Sequence, residues 1–131
     1  MRLSKSIALL ALLATPLSPT ARAMDFQPGD YEVGKTVICD TKVQAERFVD
    51  LFNDDATAAV GVVNAEQHDP TACGIVDVAY VRGPSVGIAR HGDKTFEIVR
   101  MLVIGVPVEG TIRPVNPAAY FSLLRIREFA V

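Results

Sequence analysis

Tryptophan is absent, and cysteine and histidine occur only twice each. Two cysteines exclude a disulfide-dense knot. Nine glycines and eight prolines, with no repeat, exclude collagen and low-complexity chains. Half of the residues are hydrophobic, which excludes intrinsic disorder. A formal charge of −2, with no aromatic stacking motif, excludes a generally basic nucleic-acid binder. Several chemical constellations are also missing. There is no C-x-x-C redox pair, no G-x-S-x-G nucleophile elbow, no phosphate-binding glycine loop and no calcium-loop spacing.

The longest apolar run is also short. It covers about Ile7 to Ala14, far below the ~20 residues that span a bilayer. Arg2 and Lys5 precede it, and a small-residue stretch ending in Ala21-Arg22-Ala23 follows. Positive end, apolar centre and A-x-A site are the order of a secretory signal. Residues 1–23 are therefore expected to be a signal peptide cleaved after Ala23, with the mature protein periplasmic or secreted. Met24 offers an alternative start, which would leave the protein cytosolic. Residues 24–131 are expected to form one domain, with ten basic and fifteen acidic residues and a net charge of −5.

Cys39 and Cys73 are expected to form a disulfide, as an even pair does in an exported protein. The closed loop would hold 35 residues. Chain-entropy arithmetic assigns it on the order of 4 kcal/mol. Cys39, Cys73, His68 and His91 would make a Cys2His2 set, but their spacing fits no zinc finger. The sequence implies neither metal nor cofactor.

Lys35–Cys39 is short, β-branched and apolar, the pattern of a strand. Thr41 and Gln44 form a capping-box pattern. Ala45, Phe48, Val49 and Phe52 make one helical stripe, predicting a helix over Val43–Phe52. Ala56–Val63 suits helix by alanine content, although Val60 and Val62 also suit a strand; Asn64 is the expected end. Residues 66–72 read as loop.

From Cys73 the period changes to two. Gly74–Val81 reads as a strand, Arg82-Gly83-Pro84 as a turn and Ser85–Arg90 as another strand. His91-Gly92-Asp93-Lys94 signals a hairpin, and Thr95–Ile104 the longest strand. Gly105–Pro117, with three prolines, reads as loop with a short edge strand at Thr111–Arg113. Tyr120–Phe129 reads as strand, with helix as the alternative. Clustered elements predict an α+β domain, one or two N-terminal helices packed on a C-terminal antiparallel sheet or small barrel of four or five strands.

Charge divides between the halves. Residues 24–69 hold ten acids and three bases, and residues 70–131 five acids and seven bases. Arg82, Arg100, Arg125 and Arg127 are candidates for a basic face meeting a protein or an anionic envelope polymer. Arg125 and Arg127 share a face if their segment is a strand.

Candidate chemistry is sparse. Asp54-Asp55 reads as capping rather than as cation binding. His68-Asp69 resembles a base with its orienting carboxylate, but adjacent loop residues rarely face one another. His91 falls where the hairpin needs a turn. Asp77 interrupts an apolar strand, with Arg100 the expected partner. No nucleophile accompanies these four residues. The expected function is a small exported binding or accessory protein that makes no nucleic-acid contact and spans no membrane. The alternative is a small periplasmic hydrolase using a histidine and a carboxylate.

Overall fold

The computed structural model describes residues 29–126. The expected signal segment, Met24 and Arg127 lie outside them. The chain runs β1 (Glu32–Cys39), α1 (Lys42–Leu51), α2 (Ala56–Gln67), β2 (Cys73–His91), β3 (Lys94–Val108) and β4 (Thr111–Ile126). The four antiparallel strands close into a barrel in the order β1-β2-β3-β4. The fold is α+β, as the element clustering predicts. Three strands follow the helices rather than four or five, and β1 completes the sheet.

Thr41 and Gln44 close the capping box: the Gln44 N–H donates to Thr41 Oγ1 at 3.2 Å and the Thr41 N–H to Gln44 Oε1 at 3.0 Å. Asp55 caps α2 by accepting from the Ala58 N–H at 3.0 Å. Two orphan donors at the N-terminus of α1 and one at the N-terminus of α2 thus find side-chain partners. Asn64 does not end α2, which continues to Gln67. Its side chain turns aside instead, for a reason given below.

Apolar residues divide into two clusters. Phe48 and Val49 of α1, Ala59 and Val63 of α2, Cys39, Cys73, Phe96 and Ile98 are buried together. The Phe52 ring meets Phe96 edge-on at 5.7 Å between centroids. A second cluster contains only strand residues, with Val78, Met101 and Val103 at its centre. Phe96 and Ile98 belong to the first cluster, Met101 and Val103 to the second. The alternation of side chains along β3 therefore feeds both.

Two expected breaks prove to be strand. Arg82-Gly83-Pro84 does not reverse the chain; β2 passes through it, with register shifts between Arg82 and Ser85 and between Ser85 and Gly87. A Cβ on Gly83 would lie 2.8 Å from the Arg100 carbonyl oxygen, so glycine permits a close strand approach here. Residues 105–117 are the second correction. They form the tip of the β3–β4 hairpin, paired from Gly105↔Pro114 to Val108↔Thr111. Glu109 and Gly110 turn the chain with φ of 52° and 81°, the positive pair a two-residue hairpin requires. Pro114 and Pro117 are tolerated because β1 pairs with β4 only through Ser122 and Phe121. Over residues 111–120 β4 has a neighbour on one side alone among the described residues.

Candidate functional site

Cys39 and Cys73 form the expected disulfide. They are opposite one another at the end of the β1–β2 ladder and are almost wholly buried. The bond joins the residue before the helical excursion to the residue after it. Asn64 reinforces the same point. Its amide donates to the carbonyls of Pro70 at 2.9 Å and Cys73 at 3.0 Å, and its Oδ1 accepts from the Cys73 N–H at 2.8 Å. This clamp explains why α2 runs past Asn64: the side chain serves the strand, and His68 ends the helix with a φ of 53°. Nothing local in the sequence distinguishes Asn64 from an ordinary helix-terminating residue.

The four residues weighed for catalysis are not brought together. His68 is an exposed helix cap. The Asp69 carboxylate is engaged within its own turn, accepting from the Thr71 N–H at 2.9 Å and its hydroxyl at 3.0 Å. His91 ends β2, exposed, opposite Lys94. Asp77 is exposed, and its cross-strand neighbour is Lys35 rather than Arg100. Among the described residues, no ion pair joins either histidine to a carboxylate. No group of three or more His, Cys, Asp or Glu side chains among them is placed to hold a metal. Asp54 pairs with Lys94 at 3.3 Å, which accounts for it without a cation.

The candidate arginines are also dispersed. Arg82 is held by Glu32 through two hydrogen bonds, of 3.1 and 2.7 Å. The Glu32 hydrogen bonds raise the guanidinium pKa further above its ordinary value. Arg100 lies over the Phe121 ring at 5.5 Å, a cation–π contact. Arg125 is exposed on β4. Arg82 and Lys94 thus pair with acids from the first half of the chain, so the charge division partly closes on itself. The exposed Arg47–Glu66 pair links the two helices, and it lowers the Glu66 carboxyl pKa through the Arg47 hydrogen bond.

What the structure does assemble is a groove of about 270 Å³. Phe48 of α1 and Phe52, which caps it, form one wall, and Val37, Ile75, Phe96 and Leu123 line it from the four strands. Lys35 is its cation. Ile75 remains 38% exposed and nearby Val33 on β1 49% exposed. At one end the hydroxyl of Ser122, itself buried, donates to the Val37 carbonyl at 2.7 Å and lies 2.8 Å from the Thr36 hydroxyl. The period-two pattern signals Ile75, because it shares a strand face with Asp77. It gives no sign of Lys35 in the groove, or of Thr36 and Ser122, which meet only when β1 and β4 close the sheet.

No family model, curated protein or solved structure matches the chain. Among the described residues no helix is long and apolar enough to cross a membrane.

Proposed function

We propose that the chain is a small exported binding or accessory protein that contacts a partner protein through the groove beside β1. The observation that carries this reading is the groove itself: a concavity floored by the buried rings of Phe48 and Phe96, with the half-exposed Ile75 projecting and a lysine at hand. Exposed apolar surface rimmed by charge is the general mark of a protein contact. Export is supported by the order of residues 1–23 and by the buried disulfide, a bond that persists in oxidising compartments.

The test is a photo-crosslinking residue placed at Ile75 in the full chain, expressed in its own cells, with Val62 on α2 as the control position. A discrete adduct from position 75, absent from position 62, is expected. No adduct from position 75, or the same adducts from both, would overturn the reading. Export is tested separately by pulse labelling. A precursor should chase into a chain shorter by its first 23 residues, carrying no free thiol; two free thiols would return the start to Met24 and the protein to the cytosol.

A further inference from the structure

The barrel is closed by little. β1 pairs with β2 along its whole length, from Glu32↔Tyr80 to Cys39↔Cys73, but with β4 only at Ile38↔Ser122 and Cys39↔Phe121. Along Glu32–Val37 the other edge of β1 has no strand beside it among the described residues. The hydrogen bond from Ser122 to the Val37 carbonyl shows that the Val37 main chain points to the β4 side. In an antiparallel strand the N–H and C=O of one residue point the same way, and the direction alternates. The main-chain groups of Val33 and Lys35 therefore point to that open side too.

The remaining one-sided strand segments carry features that discourage pairing. On β4 these are Pro114 and Pro117; on β2 they are Pro84 and the register shifts around it. β1 has neither a proline nor a register shift, only Lys35. Lys35 has Asp77 opposite it on β2 but makes no ion pair among the described residues, which leaves its ammonium available on the β4 side.

We propose that β1 accepts an extended segment of the partner protein as an added strand along Glu32–Val37. This rests on the binding function proposed above and specifies the partner's form. The side chains of Val33, Lys35 and Val37 share one face, and Lys35 and Val37 line the groove. A partner strand of about six residues, ~20 Å long, would place alternate side chains on that face. Apolar ones enter the groove, and an acidic one sits opposite Lys35, where a cross-strand pair of opposite charge is favourable. Main-chain bonds supply affinity and the groove supplies selectivity, as in other strand-addition complexes. A compact apolar ligand would leave the main-chain groups unused.

The test uses the full chain and a nine-residue probe peptide with threonine at even positions, valine at odd positions and glutamate at the central one. Amide hydrogen exchange at Val33 and Lys35 should slow tenfold or more with the probe, and stay unchanged with its backbone N-methylated form. Lys35→Glu should weaken the probe at least tenfold, and a lysine-centred peptide should recover the loss. A crosslink from position 75 without protection of Val33 and Lys35 by the captured partner would overturn strand addition and leave the binding function standing. Protection that appears without peptide, together with a doubled mass in sedimentation, would overturn it in favour of a second copy of this chain.

Discussion

The two ends of the β-structure are secured by different means. Where β1 meets β2, a disulfide, the three hydrogen bonds of Asn64 and the bond from the Asp40 N–H to the Ala72 carbonyl at 2.9 Å converge within a few residues. Where β3 meets β4, a two-residue turn at Glu109–Gly110 is the connection, and β4 beyond it is mostly exposed. The difference follows the length of chain to be closed. A two-residue turn sets its own register locally. β1 and β2 are separated by the helical excursion from Asp40 to Ala72, so their pairing must overcome a much larger loop entropy. Covalent and side-chain links are concentrated where local geometry cannot impose register.

The strongest way to break that contrast is to remove the bond that dominates one side of it. Cys39→Ala with Cys73→Ala should lower unfolding free energy by about 4 kcal/mol, read from urea unfolding. A loss below about 1 kcal/mol would show that the Asn64 clamp and the shared core suffice. Asn64→Ala should cost about 2 kcal/mol, because the Cys73 N–H and C=O lose a buried partner. The same measurement checks it, and no change would mean that water replaces the amide. At the other end Gly105→Ala is expected to cost about 1–2 kcal/mol by overpacking. Its Cβ would sit 2.7 Å from Ile112 Cγ2 and 2.8 Å from the Arg113 carbonyl oxygen. A cost as large as that of the disulfide would remove the asymmetry between the ends.

The smallest effect concerns the exposed helix-to-helix pair. Arg47 lowers the Glu66 pKa, so its contribution is complete above the ordinary carboxylate value and is lost as pH falls through the lowered one. The melting-temperature difference between the protein and Glu66→Gln should be small at pH 7 and vanish once the pH falls below the lowered carboxyl pKa. A difference independent of pH would assign the effect to packing.

Much of the fold is legible residue by residue. Thr41 and Gln44 announce α1 because a capping box is a local hydrogen-bond pattern, complete within four residues. The Ala45–Phe48–Val49–Phe52 stripe and the alternation through β2 and β3 are equally local. The errors lie where a local breaker is overruled from outside. Pro84 reads as a turn, yet β3 beside it holds β2 extended through a bulge. Pro114 and Pro117 read as loop, yet they are harmless on the one-sided part of β4. The candidate site was less legible, since the four weighed titratable residues are spread over a helix cap, a turn, a strand end and a strand face.

By itself the sequence determined the capped helix α1, the alternating segments at the centres of β2 and β3, the pairing of its only two cysteines, and the exclusion of metal-finger, phosphate-loop and serine-nucleophile motifs. Each of these depends on residue identity and short spacing. Tertiary structure alone decided that β1 meets β4 for two residues and has no further neighbour on that side among the described residues. It also put Lys35, Ile75 and Leu123 around one groove and divided the arginines among Glu32, Phe121 and solvent. These features depend on which distant strands become neighbours. That is set by how the whole sheet curls over two clusters, a property carried by no short segment of the chain.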